Sequence, residues 1–166
     1  KSGQTIVDTS ADLNNVKITG AGKVTTTAST GAQTLKVQTS AANELKTGDG
    51  DDTLEMGNSV LLTAADVIDM GAGTGDTIKV TADGDTTGAI FNQYGSNVEK
   101  IVIEANSTAT THAKFTLNNS AAETDAIEID ATGLSNASAK FTLAIAGTAG
   151  NVDGAITVKG GADGDV

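Results

Sequence analysis

Glycine and aspartate alternate in the segment Thr47-Gly48-Asp49-Gly50-Asp51-Asp52-Thr53-Leu54-Glu55, and residues 70–79 form a looser second copy. Both copies approximate the nine-residue pattern Gly-Gly-x-Gly-x-Asp-x-apolar-x, in which glycines allow tight turns that bring carbonyl oxygens together. Ca²⁺ prefers six to eight oxygen ligands at about 2.3–2.6 Å. One turn cannot supply all of them but two stacked turns can, so the pattern predicts Ca²⁺ ions that link neighbouring coils of a parallel β-roll. The alternative is that Asp49, Asp51 and Asp52 form a solvated turn without an ion.

The closing polar-x-apolar step of this pattern occurs four times between residues 43 and 78. The copies are Asn43-Glu44-Leu45, Asp52-Thr53-Leu54, Asp66-Val67-Ile68 and Asp76-Thr77-Ile78. The repeat is degenerate, because Thr47 and Met70 replace its first glycine, Gly75 adds one residue before Asp76, and residues 58–65 contain no glycine.

The composition favours a cation-binding protein over other classes. All ten basic residues are lysines, and 21 acidic residues give a formal charge of −11. This excess repels nucleic acids and anionic membranes and attracts divalent cations. The chain has no cysteine and hence no disulfide, and three phenylalanines and one tyrosine offer few surfaces on which bases or sugars can stack. No apolar run approaches the roughly 20 residues of a membrane span.

Short segments with the pattern apolar-x-apolar recur along the whole chain, separated by Gly, Asn, Ser, Thr and Asp. They begin at Val16, Leu35, Leu54, Ile78, Ile101, Phe115, Ile127, Phe141 and Ile156. This period of two is typical of strands with one buried face. With the calcium-type turns, it predicts an all-β parallel solenoid, and a β-sandwich is the alternative. The only helical signal covers residues 59–68, which can form a turn or two.

We interpret the chain as one β-rich domain excised from a longer protein. Residues 1–42 are leading coils, residues 43–80 are the calcium-binding repeats, and residues 81–159 are further strands. Residues 160–166, Gly-Gly-Ala-Asp-Gly-Asp-Val, look like the start of a truncated repeat. The pattern leaves open whether residues 104–159 continue the same solenoid.

Two blocks suggest a family. Residues 66–80, with their glycine-aspartate core, and Asn97-Val98-Glu99-Lys100-Ile101-Val102-Ile103 resemble the corresponding segments of RTX-type surface-layer (S-layer) proteins of Gram-negative bacteria. The resemblance covers residues 43–103. It implies a calcium-dependent structural protein exported by type I secretion, which self-associates into a two-dimensional lattice on the outer cell surface. A contact with cell-surface polysaccharide would lie in regions outside this fragment.

The resemblance also implies a set of Ca²⁺ ligands. Asp52 and Asp76 occupy the sixth place of the repeat and Asp49 the third, while Asp66 is a weaker candidate without preceding glycines. The backbone ligands would come from Gly48, Gly50, Gly71 and Gly73.

Two other functions remain open at this stage. One is a module of a large RTX adhesin, with the threonine-rich residues 24–27 as a ligand-binding face. The other is a module of a calcium-dependent polysaccharide-active enzyme, a class whose chemistry needs a base of near-neutral pKa. His112 is the only histidine and has no acidic neighbour in the sequence. We therefore expect the chain not to be an enzyme.

Overall fold

The protein is a stack of short parallel strands. The computed structural model describes residues 5–7, 16–19, 24–26, 29–38, 41–57, 62–82, 86–93, 95–105, 113–119, 125–134, 140–147 and 154–160. These ranges contain sixteen β-strands and no helix, and every strand pair found in them is parallel. The predicted parallel β-solenoid is confirmed. The β-sandwich alternative is wrong, because a sandwich is built from antiparallel pairs.

Seven strands form the largest sheet, called here the main sheet. In chain order they are β2 (Val16–Thr19), β5 (Thr34–Gln38), β8 (Thr53–Met56), β10 (Thr77–Ala82), β12 (Lys100–Ala105), β14 (Ile127–Gly133) and β16 (Ile156–Lys159), and their spatial order is the same. Strands β12, β14 and β16 extend the stack, so the described strands within residues 104–159 continue the same solenoid.

The other strands form three smaller sheets. The four-stranded sheet contains β1 (Thr5–Val7), β3 (Val24–Thr26), β6 (Glu44–Lys46) and β9 (Val67–Asp69). The three-stranded sheet contains β11 (Thr86–Asn92), β13 (Ala113–Asn119) and β15 (Phe141–Gly147). The two-stranded sheet contains β4 (Ser29–Thr30) and β7 (Gly48–Asp49).

The core consists of apolar side chains stacked in register along the solenoid. On the main sheet, a fully buried ladder runs through Leu35, Leu54, Ile78, Ile101 and Ile129. Facing it are buried residues of the smaller sheets, among them Leu45, Ile68, Phe91, Phe115 and Leu117. All nine predicted apolar-x-apolar segments lie in strands. Full burial of each large aliphatic side chain stabilises the fold by roughly 1.5–3 kcal/mol.

The coils lengthen along the chain. Partner positions on successive strands of the main sheet, starting at Thr34 and Thr53, are 19, 24, 23, 28 and 29 residues apart. Two nine-residue repeats account for almost all of the shortest coil. The longer coils carry extra residues between strands, which explains why the sequence repeat is degenerate.

The helical expectation for residues 59–68 is wrong in its described part. Residues 64 and 65 form a turn, and β9 begins at Val67. The Asp66 carboxylate closes the turn by accepting hydrogen bonds from the Thr63 backbone N–H (2.8 Å) and hydroxyl (3.1 Å). The β-branched residues that follow, Val67 and Ile68, prefer the pleated strand to a helix.

Candidate calcium site at the glycine corner

Three turns of the chain stack directly on one another where the solenoid bends into the main sheet. We call this stack the glycine corner, and its three layers are residues 29–33, 48–52 and 71–76. The layers pair in parallel, with Thr30 opposite Asp49 and Asp49 opposite Ala72. The Gly50 N–H donates to the Ala72 carbonyl oxygen (2.9 Å), and the Ala72 N–H donates to the Gly48 carbonyl oxygen (3.1 Å).

Glycine is required for this close stacking. Gly71 has φ of +87°, and a Cβ there would lie 1.9 Å from the Gly48 carbonyl oxygen. Gly50 has φ of +117°, and a Cβ there would lie 2.6 Å from the Gly31 carbonyl carbon. Both the left-handed backbone and the lack of space exclude a side chain at these two positions.

A column of polar residues runs along the glycine corner. Each member directly precedes a strand of the main sheet, and we call the set the polar column: Gln33, Asp52, Asp76 and Glu99. Each acidic side chain accepts the backbone N–H of the preceding member. The bonds join Gln33 N to Asp52 Oδ1, Asp52 N to Asp76 Oδ1, and Asp76 N to Glu99 Oε2, all at 2.7 Å. One oxygen of each carboxylate is therefore used to hold two coils together.

The second oxygen of each aspartate has no partner. Asp52 and Asp76 are both 0% exposed, and Oδ2 of each receives no hydrogen bond within the structure. Burial, together with the neighbouring Glu99 charge, raises the pKa of Asp76 to about 6 against the lowering effect of the Asp52 N–H. Burial also raises the pKa of Asp52, against the lowering effects of the nearby Thr47 hydroxyl and of the Gln33 N–H. The Thr47 hydroxyl itself donates its hydrogen bond to the Met70 carbonyl oxygen (3.0 Å). A buried, ionised oxygen without a partner is costly, and a bound proton or a cation relieves that cost.

The surroundings of Asp76 Oδ2 suit a hard cation. A Cβ built on Gly73 would lie 2.6 Å from the Gly50 carbonyl oxygen and 2.7 Å from Asp76 Oδ2. Because Gly73 has no side chain, these two oxygens border the same space. Carbonyl and carboxylate oxygens are the ligands that Ca²⁺ takes in proteins. In the described part of the chain no three His, Cys, Asp or Glu side chains converge as metal ligands, so further ligands have to be backbone carbonyls or water.

The structure brings seven of the eight predicted ligands to the glycine corner. They are Gly48, Asp49, Gly50, Asp52, Gly71, Gly73 and Asp76. Two of these residues are less suited to bind an ion than the others. The Asp49 side chain is exposed, and the Gly48 carbonyl oxygen already accepts a hydrogen bond.

The inserted residue Gly75 fits against the layer beneath it. A Cβ on Gly75 would lie 3.1 Å from Asp51 Cγ, and Asp51 Oδ1 accepts the N–H of Thr74 (3.1 Å). The insertion thus leaves Asp76 in register with Asp52, as their 2.7 Å hydrogen bond shows.

Asp66, the eighth predicted ligand, lies away from the corner. It precedes β9 on the four-stranded sheet, where Asn43 is its counterpart one coil earlier. Its Oδ1 accepts the backbone N–H and the side-chain Nδ2–H of Asn43, both at 2.9 Å, and its Oδ2 accepts both donors of Thr63. Both oxygens therefore have hydrogen-bond donors without an ion, and these bonds join the Asp66 turn to Asn43 of the preceding coil.

Sequence reasoning missed two members of the polar column, Gln33 and Glu99. A signal for Gln33 was present, because Gly31-Ala32-Gln33-Thr34-Leu35 has the glycine, polar and apolar residues of the repeat in the same order. Glu99-Lys100-Ile101 likewise has the polar-x-apolar step. Both segments have a residue other than aspartate at the sixth place of the repeat, so the aspartate pattern did not identify them.

Of the remaining predicted features, the structure describes part of the threonine-rich segment, and the others lie outside the described residues. The Thr26 side chain, from the threonine-rich segment 24–27, is buried, and its hydroxyl bonds with the Lys46 carbonyl (2.9 Å) and N–H (2.7 Å). His112 and residues 161–166 lie outside the described residues. Within the described ranges there is no helix long and apolar enough to cross a membrane.

Comparisons with known proteins add no family. A scan against models of protein families, a search of curated proteins and a search of solved structures each returned no match.

Proposed function

We propose that this chain is a structural segment of a secreted bacterial S-layer protein of the RTX type, in which Ca²⁺ staples the solenoid at the glycine corner. The observation that supports the proposal most strongly is the pair of fully buried, unpartnered Oδ2 atoms of Asp52 and Asp76. In the proposal, these atoms and the Gly50 carbonyl oxygen are Ca²⁺ ligands. Asp49, Gly48, Gly71 and Gly73 shape the same turns.

Binding at this site couples calcium to folding. The two aspartates lie 24 residues apart and meet only because β8 and β10 are paired. The unfolded chain holds no such site, so a ligand that binds only the folded state stabilises it by RT ln(1 + [L]/Kd). At a hundredfold excess over Kd this is about 2.7 kcal/mol per ion.

Such coupling suits a protein that leaves the cell unfolded. Cytosolic calcium is too scarce to fill a weak site, and the outside of the cell supplies the ion, so the acidic chain becomes rigid after export. In the proposal, the protein is located at the bacterial cell surface, reaches it by type I secretion and self-associates into a lattice. Its role is structural and not catalytic.

The proposal is tested in two steps. The first compares thermal unfolding of the chain in Ca²⁺, in Mg²⁺ and in EGTA, and we expect the Tm in Ca²⁺ to be higher than in the other two media. An equal Tm in all three media would remove calcium from the proposal. The second uses electron microscopy of calcium-loaded protein, where ordered sheets support the lattice. A soluble monomer that binds a glycan array would favour the adhesin, and turnover of an acidic polysaccharide would favour the enzyme.

A further inference from the structure

The polar column begins with a residue that differs chemically from the two aspartates. Gln33 is buried and, like them, directly precedes a strand of the main sheet. Its Nε2 donates to the Gly31 carbonyl oxygen at 2.9 Å and to the Thr30 carbonyl oxygen at 3.3 Å. The amide thus places a donor among the carbonyl oxygens of its own turn.

The next two layers of the glycine corner lack this donor. Gly50 and Gly73 are the counterparts of Gly31 in the strand register, and Asp52 and Asp76 are the counterparts of Gln33. An ionised carboxylate has no hydrogen to offer to these turns, and Oδ2 of each aspartate has no partner. Where Gln33 joins its turn by N–H···O bonds, Asp76 brings its Oδ2 to the same space as the Gly50 carbonyl oxygen.

We propose that the Gln33 amide nitrogen takes the place of a cation in the first layer of the glycine corner, so that the calcium column starts at the second layer. Thr30 and Gly31 direct two carbonyl oxygens at Nε2, as carbonyls direct oxygens at an ion. An amide NH₂ satisfies both of them without charge and at any calcium concentration. Gln33 is therefore a specificity-determining residue that fixes where ion binding begins.

The other end of the column closes in a different way. The register that pairs Lys100 with Glu128 places Ile127 after Glu99, and Ile127 is buried. The column thus passes from amide to carboxylate to aliphatic side chain. A buried isoleucine supplies no oxygen, which confines ion binding to the layers between Gln33 and Ile127.

This inference rests on the proposed function, and the Gln33→Glu variant tests it. Glutamate has the shape of glutamine but replaces the Nε2 donor by an oxygen facing the Thr30 and Gly31 carbonyls. We expect Q33E to have a lower Tm than wild type in EGTA, to regain stability in Ca²⁺, and to bind one more Ca²⁺ per chain. At a hundredfold excess over Kd, one extra ion widens the gap in Tm between the two media by about 5–10 °C for a chain of this size.

Two further variants separate this effect from charge and from packing. Gln38→Glu adds the same charge at the exposed end of β5, and we expect its stoichiometry to equal that of wild type. Gln33→Met removes the donor without adding charge, and we expect equal destabilisation with and without Ca²⁺. Isothermal titration and Tm are measured for all four proteins.

The outcomes distinguish the inference from the proposed function. If wild type binds no Ca²⁺, the proposed function fails, whatever the variants do. If wild type binds Ca²⁺ but Q33E binds the same number of ions as wild type, or resembles Q33M in both media, the role of Gln33 is refuted while the calcium site stands.

Discussion

Substitution of Asp76 by asparagine separates a calcium ligand from a purely structural aspartate. The asparagine side chain in this variant keeps an Oδ1 that accepts the Asp52 N–H, and it cannot ionise. Burial raises the pKa of Asp76 from 3.8 to about 6 in the folded protein. At about 1.4 kcal/mol per pKa unit, its ionisation at pH 7.5 costs on the order of 3 kcal/mol.

Removal of that cost makes D76N more stable than wild type when calcium is absent. Tm changes by about 2–4 °C per kcal/mol in a chain of this size, so we expect D76N to melt about 6–12 °C higher than wild type in EGTA. If Asp76 is a ligand as proposed, calcium at a thousandfold excess over Kd stabilises wild type by about 4 kcal/mol through this site, and D76N loses that gain. The order of stability therefore reverses in Ca²⁺.

The measurement is a set of thermal and urea unfolding curves for both proteins in EGTA and along a calcium series. Asp51→Asn is the matched control, because Asp51 is exposed on the neighbouring layer of the glycine corner and its oxygen contacts only Thr74 N among its described hydrogen bonds. The Asp51 charge contributes to the raised pKa of Asp76, so we expect D51N to be slightly more stable than wild type in EGTA and to keep the full gain in stability in Ca²⁺. If the stability of D76N relative to wild type is the same in EGTA and in Ca²⁺, Asp76 is not a calcium ligand.

Three further predictions concern Asp66, Gly73 and the pH dependence of Asp76. Asp66→Asn removes an acceptor from a fully satisfied carboxylate, so we expect a loss of about 1–3 kcal/mol in urea unfolding that is the same in Ca²⁺ and EGTA; a calcium-dependent loss would show that Asp66 binds an ion. Gly73→Ala places a Cβ 2.6 Å from the Gly50 oxygen and 2.7 Å from Asp76 Oδ2, so we expect lost calcium affinity by titration calorimetry. Gly31→Ala has open space around its Cβ but a strained φ of +84°, so we expect it to lose stability equally in both media and to keep its calcium affinity. Unchanged affinity in G73A would rule out this space as the site. In EGTA, the folded pKa of Asp76 exceeds the unfolded value, so its contribution to the free energy of unfolding is largest below pH 4, falls between about pH 4 and pH 6, and is constant above that range. The difference in the free energy of unfolding between wild type and D76N measures this contribution across the pH range. A difference that does not change with pH contradicts the raised pKa.

Much of the fold could be predicted from local residue patterns. The apolar-x-apolar steps identified strands, because alternation along a strand is a local property that a buried face imposes. The nine-residue spacing from Asn43 to Asp52 also has structural meaning, since both residues precede strands on opposite sides of the same coil. Strands without clear alternation, such as β11 with its register shift between Thr86 and Ala89, were missed.

The arrangement of the candidate site could be predicted only in part. The glycines and sixth-place aspartates of the candidate site were predicted because they follow a short repeat pattern, whatever the rest of the chain does. The different surroundings of Asp66 and Asp76 could not be predicted, because both residues have the same polar-x-apolar context. Donors from Asn43 and Thr63 satisfy Asp66, whereas Asp76 faces Gly73 and the Gly50 carbonyl.

The sequence by itself determined the strand pattern, the tight glycine turns and an excess of negative charge that favours cations, because each depends on residue type and short spacing. Only the tertiary structure decided which carboxylates share a column and which of their oxygens lack a donor. Those facts depend on the stacking register of coils 19 to 29 residues long. That register is fixed by the packing of the whole aliphatic core and not by any single repeat.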